Sequence, residues 1–530
     1  MHTPVVDVTV IIPVYNTVDY LSACLDSLIG QTIGHERLEV VAVDDGSTDG
    51  SGELLEKYAA SYPEVVRVFH QDNSGGPAGP CNVGLEHATG RYLFFLGSDD
   101  YLALDALERL VQRADEWQAD VVVPVSEGVN GRNVDQRLFR SEHPDLAYPG
   151  TLLPYSLSNT KLYRRDLVVE HGLRYPLDLR VGSDQPFTLA AMRAARRIGV
   201  LGRPTAYFAV KRSDDSNISY KIDWPTRLAD LTAVVEHLCE IEPPGDDRDA
   251  LLVRHFSWEF DKLLTRDLPL LSDEDGAGLV AALAVLAERY LTEGVRRRLI
   301  VPRRIRWHHV MAGDLAAVRA ASDEAPPTGT LLVDAAGAFR MLPGFRDGLP
   351  DDLFAIPQGA ITPWTQSIET DATVRLDGHT IVVTGSTTTL DPTSAKHAHV
   401  TLGPLDGAGE PHPALDLPPA EAPRVLASGP VTIDADGAVR AELDLMPFIE
   451  QGGSRAGLRL RIETDDRIID RPIRVPVSAV SEVATRSRKV AVRVTSSTGD
   501  RVLVDVAVPR TLARRAAGRL RRELGRLGSK

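Results

Sequence analysis

The stretch VTVIIPVYN, residues 8–16, decides the fold class, because it is a short β-branched run that ends in Pro-Val-Tyr-Asn. Similar runs follow it, each separated from the next by an amphipathic segment: LEVVAVDD, VVRVFH, RYLFFLGS and DVVVPVS. The amphipathic segments predict helices over Thr17–Gln31, Gly50–Tyr62, Gly75–Ala88 and Ala103–Trp117. Strands that alternate with helices are typical of an α/β, doubly wound, mostly parallel sheet, which binds ligands at the carboxyl ends of its strands.

Polar residues gather at the predicted carboxyl ends of three strands. Tyr15 follows the first strand and can stack on a base, and the acidic turn Asp44–Asp49 follows the second. The fourth strand ends in Ser98, Asp99 and Asp100, and adjacent carboxylates there suit a hard divalent ion that bridges phosphate oxygens. Asp99 is the predicted metal ligand. An acidic turn alone is more often a helix cap than a ligand site, so the prediction depends on several motifs in order.

These motifs resemble the family 2 glycosyltransferases of GT-A fold, which share a PVYN-like opening, a DDGSTD turn and a DXD-type motif. The resemblance covers about residues 8–220 and implies an enzyme that takes a sugar from a nucleotide-diphosphate donor. It implies that Asp44 recognises uracil, that Asn73 contacts the nucleotide and that Asp99 coordinates manganese or magnesium. The nucleotide-sugar residues predicted in this way are Pro13, Tyr15, Asp44, Asn73, Ser98, Asp99, Lys211 and Arg212.

Asp184, within LRVGSDQPF, stands where inverting members of the family carry Glu-Asp-Gln, so the resemblance implies that it is the catalytic base. A carboxylate within hydrogen-bond reach takes the proton of the attacking hydroxyl, and a single displacement then inverts the anomeric centre. Taken alone, Asp184 is equally well read as a cap of the following helix. Lys211 and Arg212 lie in a polar loop that folds over the diphosphate in relatives, although such a pair is by default a solvated surface charge.

Three positions depart from the family pattern. Gly97 stands where the DXD-type motif usually begins with Asp, and Cys81 stands where an arginine is common. Both changes bear on the ribose and diphosphate contacts. Ser183 replaces the family's Glu and thereby removes a charge beside Asp184.

Bulk composition restricts the class of protein. The chain has 530 residues, enough for two or three domains, and its net charge of -15 argues against nucleic-acid binding. Cys24, Cys81 and Cys239 form neither a disulfide framework nor a metal-binding spacing, which favours a reducing cytoplasm. The N-terminal residues do not read as a signal peptide, and no apolar run approaches the roughly 20 residues of a membrane-spanning helix.

The composition changes after the predicted GT-A domain, residues 1–222. Long Leu/Ala/Arg periodicity predicts a helical extension over residues 223–322, and the Pro- and Gly-rich stretch DEAPPTGT opens a linker and lead-in, residues 323–364. Alternating apolar and polar runs then predict an immunoglobulin-like β-sandwich over residues 365–509. Residues 510–530 predict a basic amphipathic tail that suits an anionic membrane surface.

A GT-A domain followed by helices and a β-sandwich resembles the wall teichoic acid glycosyltransferases, which decorate poly(ribitol phosphate) with N-acetylglucosamine and trimerise through their C-terminal domains. The run NSGGPAGPCNVGL, residues 73–85, also resembles those enzymes. This likeness implies a UDP-N-acetylglucosamine donor, a polyol-phosphate or other cell-envelope polymer as acceptor, and a homo-oligomer, for which a trimer is one arrangement. The cysteines and the basic tail predict a cytoplasmic protein that lies peripherally at the inner face of the cell membrane. Two alternatives stay open: a transferase for capsule or exopolysaccharide repeat units, and a catalytically decayed glycan-binding protein.

Overall fold

The computed structural model divides the chain into two compact units. The first comprises Met1–Leu299 and Arg306–Asp323, and the second comprises Ile300–Ile305 and Glu324–Lys530. The predicted basic tail, residues 510–530, lies outside the described residues. The residues that the structure describes are 6–149, 151–212, 223–323, 330–334, 337–356, 373–386, 391–405, 415–417, 422, 424–435, 438–451, 453–463, 468–473, 485–487, 490–496 and 502–507.

A seven-stranded sheet forms the centre of the first unit, in the order β3-β2-β1-β4-β8-β6-β9. Strand β8 runs antiparallel to both of its neighbours, and the other pairs are parallel. This confirms the predicted α/β fold with a mostly parallel sheet. The strands of the sheet are β1 (Val8–Val14), β2 (Leu38–Asp44), β3 (Val66–His70), β4 (Tyr92–Phe95), β6 (Val121–Val123), β8 (Leu162–Arg164) and β9 (Ile198–Val200).

Helices connect these strands. Strands β1 and β2 are apolar along nearly their whole length and buried, as expected for a parallel sheet that is covered on both faces. The alternation also brings the carboxyl ends of β1, β2, β3 and β4 to one edge. The helices of this region are α1 (Val18–Ile29), α2 (Ser51–Ser61), α3 (Ala78–His87), α4 (Ala106–Trp117), α5 (Arg165–Glu170) and α6 (Asp184–Ala194).

The run DVVVPVS, predicted as one strand, forms two strands in different sheets. After β6 the chain passes through Pro124, which has no backbone N–H to donate to a ladder, and then enters β7 (Ser126–Val129). Strand β7 pairs in parallel with β10 (Tyr207–Val210), and β10 pairs with β5 (Tyr101–Leu102). This small second sheet places the end of β10 next to the turn that follows β4.

The segment after the catalytic sheet is helical and has its own apolar core. Phe256 and Phe260 pack against the buried Trp307 at ring-centroid distances of 4.9 and 6.4 Å. Two stretches, His255–Glu259 and Leu263–Asp267, are π-helical, a geometry that is frequent at functional sites. The α-helices are Trp224–Ile241, Asp246–Arg254, Phe260–Lys262, Asp273–Tyr290, Glu293–Arg298, Val301–Met311 and Leu315–Asp323. None of the helices within the described part of the chain is long and apolar enough to span a membrane.

The second unit is built from antiparallel strands, which confirms the predicted C-terminal β domain. Its longest path has the order β13-β14-β18-β17-β15-β19-β23-β22-β21. Strand β17 changes partner along its length, because Ala427–Pro430 pairs with β15 and Val431–Ile433 pairs with β18. The strands are β11 (Thr330–Asp334), β12 (Gly337–Met341), β13 (Thr373–Asp377), β14 (Thr380–Ser386), β15 (Ala398–Gly403), β16 (Leu415–Leu417), β17 (Ala427–Ile433), β18 (Ala438–Asp444), β19 (Arg455–Glu463), β20 (Ile468–Pro472), β21 (Thr485–Ser487), β22 (Val490–Ser496) and β23 (Val502–Ala507).

Candidate active site

Strands β1 and β2 end side by side at the predicted ligand edge. In their parallel register, Pro13 pairs with Val43 and Val14 pairs with Asp44. Tyr15, the next residue after β1, is 43% exposed, so its ring is open to a ligand. The structure therefore brings together the predicted donor-binding residues of the first two motifs.

The acidic turn after β2 is fastened to the end of β1. Asn16 donates its N–H to Ser47 Oγ at 3.1 Å and accepts the Thr48 N–H at 2.8 Å. Asp49 accepts the N–H of Val18, in the first turn of α1, at 3.0 Å. Asp49 thus has the role of a helix cap, which leaves the earlier acids of the turn for other tasks.

Asp44 is buried and held from two sides. Its Oδ1 accepts the Ser47 N–H at 3.1 Å, and its Oδ2 lies 3.0 Å from His70 Nδ1. Hydrogen bonds to Glu56 and Asp44 raise the pKa of His70, so the imidazolium form is favoured beside the carboxylate. A Cβ at Gly52 would lie only 2.8 Å from Asp44 Oδ2, which explains why α2 approaches this carboxylate through a glycine.

Asp45 organises the loop that carries Asn73. Its carboxylate accepts Gln71 Nε2 at 2.5 Å, the Ser74 N–H at 3.0 Å and the Ser74 hydroxyl at 2.9 Å. Asn73 is exposed, and its Oδ1 accepts the Gly75 N–H at 2.7 Å. The side chain predicted to contact the nucleotide is therefore presented to solvent on a loop that the neighbouring strand end fixes.

The two aspartates of the turn after β4, Asp99 and Asp100, have different environments. Asp100 is buried, where it accepts the Tyr207 hydroxyl and, at 2.7 Å, the Val210 N–H. Burial and the neighbouring Asp99 raise the pKa of Asp100 to about 6. Ser98 is also buried, whereas Asp99 stays partly exposed. Asp100 anchors the turn, and Asp99 is the carboxylate that it presents.

Gly97 leaves little space for a side chain in this turn. A Cβ there would lie 2.9 Å from Asp100 Oδ2 and 3.2 Å from Asp99 Oδ1. The carboxylates of Asp99 and Asp100 therefore occupy the space that a side chain at position 97 would need, which gives a steric reason for the glycine.

Arg212 reaches the same turn from the end of β10. Its Nε donates to Asp99 Oδ2 at 2.7 Å, and its guanidinium lies 5.8 Å from the centre of the Tyr20 ring. The preceding residue, Lys211, donates its backbone N–H to Val129 O at 3.2 Å and is only partly exposed. Two predicted residues that are far apart in the sequence, Asp99 and Arg212, thus form an ion pair.

The donor atoms of this turn decide whether it suits a divalent cation. Within the described ranges, no group of three or more His, Cys, Asp or Glu side chains is placed to hold a metal ion. Asp99 supplies hard carboxylate oxygens, one of which accepts Arg212 Nε, whereas both oxygens of Asp100 accept hydrogen bonds from Tyr207 and Val210. One protein carboxylate suits Mg²⁺ or Mn²⁺ when phosphate oxygens and water complete the coordination. The residues therefore fit a metal that binds together with a diphosphate.

Asp184 is the first residue of α6 and is half-buried. Burial raises its pKa, while the positive charges of Arg254 and Lys161 act in the opposite direction. The helix makes no side-chain cap at its N-terminus, so a cap does not account for this carboxylate. An acid with a raised pKa and two neighbouring cations is an environment typical of functional sites.

The helical segment fixes the residue next to Asp184. Gln185 Oε1 accepts Arg254 Nη1 at 2.8 Å and lies 3.2 Å from His255 Nε2. Arg254 also donates to Glu259 at 2.9 Å. The first turn of α6 is thereby held by residues about 70 positions later in the chain.

Two departures from the family pattern border the same carboxylate. The Ser183 hydroxyl is buried without a hydrogen-bond partner among the described residues. Cys81 is fully buried on α3, and its thiol pKa is raised by burial and then by the charge of Asp184. Neither Ser183 nor Cys81 therefore contributes a charge beside Asp184, and the positive charge there comes from Arg254 and Lys161.

A cavity of about 240 Å³ is lined by residues next to both candidate centres. The lining includes Asp100, the neighbour of Asp99, and Arg254, one of the cations that act on Asp184. Its lining is mixed in character and includes the basic Arg132 and the aromatic Tyr155, Trp258 and Tyr207, together with Asn133, Ser158 and Thr160.

Sequence reasoning missed several residues of this site. Asp45 and Asp100 were included in motifs without a separate role, and Lys161, Arg132 and Arg254 were not singled out. The signal available for Arg254 was weak, because an Arg-His pair in a helical segment is ordinarily a surface feature. Its position beside Gln185 depends on a tertiary contact.

Comparison with known proteins finds glycosyltransferases that are similar to this chain. Residues 9–172 match the profile of Glycosyl transferase family 2, and residues 227–322 match the Glycosyl transferase TarS linker domain. The first of these regions is thus similar to family 2 glycosyltransferases, and the second is similar to the linker domain of TarS.

Curated relatives with similar sequences include two poly(ribitol-phosphate) transferases. The beta-glucosyltransferase of Bacillus spizizenii is 36% identical over 208 residues, which are 39% of this chain and 33% of that protein. The beta-N-acetylglucosaminyltransferase TarS of Staphylococcus aureus is 37% identical over 254 residues, 47% of this chain and 44% of that protein. The chain thus spans less than half the length of these relatives.

Solved structures of S. aureus TarS share the fold. Residues 1–349 of TarS in complex with UDP-GlcNAc match with a TM-score of 0.56 and 27% identity, over 65% of this chain and 98% of that chain. The longer TarS structure matches over 95% of this chain and 85% of that chain, with a TM-score of 0.58. At 21% identity, this second match supports the fold alone.

Proposed function

We propose that this protein is a metal-dependent inverting glycosyltransferase that moves a sugar, N-acetylglucosamine from UDP-GlcNAc, onto a hydroxyl of a cell-wall polymer such as poly(ribitol phosphate) teichoic acid. The observation that carries the proposal is a cavity lined both by Asp100, which belongs to the turn of Asp99, and by Arg254, one of the cations that act on Asp184. The printed activities of the two poly(ribitol-phosphate) transferases supply the substrate class.

The donor's nucleotide would occupy the edge formed by β1, β2 and the Asn73 loop. The exposed Tyr15 ring offers a face for the base, and Asp44 offers a carboxylate for its N–H group. Lys211 and Arg212, at the end of β10, are placed to neutralise the diphosphate. Arg212 would then exchange Asp99 for phosphate oxygens when the donor binds.

Asp99 would hold a Mn²⁺ or Mg²⁺ ion together with the diphosphate oxygens, and the ion would stabilise the negative charge that develops on the leaving UDP. Asp100 keeps the turn in place through Tyr207 and the Val210 N–H, so the Asp99 carboxylate stays directed at the donor side. Ser98, buried in the same turn, belongs to this support.

Asp184 would act as the base. Its raised pKa makes the carboxylate a better proton acceptor than an exposed Asp, while the nearby cations favour its ionised form. Attack by the deprotonating hydroxyl from the side opposite to UDP inverts the anomeric configuration. Ser183 leaves this proton transfer intact because the Asp184 carboxylate itself is present.

The acceptor would lie in the cavity. Arg132 and Arg254 supply positive charge for phosphodiester groups, and Trp258 and Tyr155 supply flat faces for a polyol or sugar. Such local charge is required, since the net charge of -15 repels an anionic polymer in general.

The same proposal includes an assembly and a location. We place the protein in the cytoplasm, peripheral at the inner face of the membrane, with residues 510–530 as the contact with anionic lipid. The β domain would serve homo-oligomerisation, for which a trimer is one arrangement. Vesicle sedimentation of the full chain with and without residues 510–530, and its mass in solution, test these two statements.

Titration calorimetry with UDP and MnCl₂ tests the donor site. We expect heat of binding that requires the metal and disappears in Asp99→Ala. An exposed carboxylate elsewhere, such as Glu442 of β18, provides the matched control Glu442→Ala. Absence of metal-dependent heat in the wild-type protein would instead support a decayed glycan-binding protein.

A further inference from the structure

Lys161 is a buried cation whose presence the proposed chemistry does not explain. It lies just before β8, its side chain has 0% exposure, and its Nζ donates to Ser158 O at 2.5 Å. An ammonium group loses its hydration when it is buried, which is costly unless an anion compensates. Burial lowers the pKa of Lys161 to about 7, and Asp184 is the carboxylate that favours its charged form.

The short segment that contains Lys161 contacts Asp184 in a second way. The Asn159 backbone N–H lies against the Asp184 carboxylate and stabilises its ionised form. Asn159 is itself fixed, because its carbonyl accepts the Lys161 N–H at 2.7 Å and its amide donates to the Tyr175 hydroxyl at 3.0 Å. One segment thus supplies both a peptide dipole and a charge to the same carboxylate.

The other groups that face Asp184 do not replace this charge. Cys81, Tyr163 and Tyr175 stay neutral, because burial raises the pKa of each. Arg254 is a cation, yet it also donates to Glu259 and Gln185.

The neighbouring His255 is also neutral, since burial lowers its pKa to about 3. The charged groups that act on Lys161 among the described residues are Asp184 and Arg254. Asp184 is therefore its acidic partner, whereas Arg254 is shared with Glu259.

We propose that Lys161 is a positioning residue for the reaction: its buried ammonium, on the same segment as the Asn159 N–H, holds the Asp184 carboxylate in its ionised form. This inference rests on the proposed function, in which Asp184 is the base. Lys161 supplies a positive charge next to Asp184, whereas the neighbouring side chains of Ser183 and Cys81 are neutral. Lys161 touches neither substrate in this scheme and acts only through Asp184.

A double-mutant cycle on thermal stability, called the stability cycle below, tests the coupling of Lys161 and Asp184 without measuring activity. Lys161→Met, Asp184→Asn and the double variant are made in the full chain, and their melting temperatures are measured at pH 6 and pH 9. At pH 6 we expect the melting temperature of the double variant to fall by less than the sum of the two single decreases. The reason is that each single change leaves one buried charge without its partner in the pair. The non-additivity should shrink at pH 9, where Lys161 is neutral in the wild type. Additive losses at both pH values would overturn the pairing.

The pH dependence of kcat/KM tests the functional part. Without the ammonium, the acid limb of the profile should move to higher pH by about one unit in Lys161→Met. Lys161→Arg should keep the limb near its wild-type position, and Lys57→Met, which removes an exposed lysine of α2, is the matched control. If Lys161→Met does not fold, Lys161→Arg replaces it in the stability cycle, and its coupling to Asp184→Asn should persist at pH 9, because a guanidinium stays charged there.

An acid limb that stays in place in a folded Lys161→Met protein would contradict the inference, since a merely structural lysine would lower kcat without moving the limb. A wild-type protein that turns over no donor would contradict the proposed function instead. The stability cycle would then still decide whether Lys161 and Asp184 are coupled.

Discussion

Arg212 and Asp99 form an ion pair across 2.7 Å, although 113 positions separate them in the chain. Both side chains are largely shielded from solvent, at 15% and 14% exposure. The pair links the turn after β4 to the end of β10. Arg212 therefore neutralises the charge of Asp99, the predicted metal ligand, before metal and donor bind. On our proposal, Arg212 must leave Asp99 when they bind.

Removing the guanidinium of Arg212 should lower the affinity for the diphosphate of UDP. We expect Arg212→Met to bind UDP roughly tenfold more weakly in the presence of manganese, because one charge-assisted contact is worth about 1.5–3 kcal/mol and part of it is offset by freeing Asp99. Calorimetry measures the affinity, and Arg375→Met, in β13 of the β domain, controls for loss of an exposed arginine. Unchanged UDP affinity would remove Arg212 from the donor site.

Gly97 should not tolerate a side chain. A Cβ at this position would lie 2.9 Å from Asp100 Oδ2, which is held by Tyr207, so Gly97→Ala should cost about 1–3 kcal/mol of stability and lower turnover. Chemical denaturation measures the loss. Gly278→Ala, in an open helical position where the nearest atom would lie 3.8 Å away, is the matched control and should be neutral or stabilising. Equal behaviour of the two variants would refute the steric account.

The acid limb of the activity profile should report Asp184. Because burial raises the pKa of Asp184, its carboxylate is protonated at a higher pH than an exposed Asp would be. Activity should therefore be present above this pKa and be lost as the pH falls through it, at a higher pH than an exposed aspartate would require. A pH series of kcat/KM measures the limb. Asp184→Asn should abolish turnover while UDP binding survives, and retained turnover would exclude Asp184 as the base.

A buried ion pair stabilises the β domain independently of catalysis. Arg459 Nε donates to Asp470 Oδ1 at 2.6 Å, with the two side chains 1% and 4% exposed. Asp470→Ala should cost about 3–5 kcal/mol, since the buried guanidinium would lose its carboxylate partner, whereas the double variant Arg459→Met/Asp470→Leu should recover most of the loss. Denaturant unfolding measures both.

The exposed pair of Arg440 and Glu442 is the control for this prediction, because its side chains are 60% and 55% exposed. Glu442→Gln should change stability by about 0.5 kcal/mol or less. A loss in Asp470→Ala no larger than this would mean that the buried pair contributes nothing specific.

Local patterns in the sequence were sufficient for the α/β class and for the four helices between Thr17 and Trp117. Their observed bounds lie within three residues of the predicted ones, because amphipathic spacing and capping turns act over short distances. The break of DVVVPVS at Pro124 was missed, since the apolar run hid the change of sheet. The antiparallel character of β8 was also invisible, because it depends on which strand the chain joins rather than on its residues.

The candidate site was predictable only where motifs sit at strand ends. The pairing of Asp99 with Arg212 follows from the placement of β10 beside the turn after β4, which no local pattern reports. Lys161 and Arg254 were missed for the same reason, since each owes its role to a neighbour far along the chain. A lysine before a strand is ordinary in sequence, and only its burial beside Asp184 sets it apart.

The most direct test is UDP release by the purified full chain with manganese and UDP-GlcNAc, measured with and without poly(ribitol phosphate), in the wild type, Asp99→Ala and Asp184→Asn. The account predicts release that the polymer stimulates and that both substitutions abolish. A wild-type protein that binds UDP with the metal but releases none from any UDP-sugar would contradict it, as would full activity in either variant.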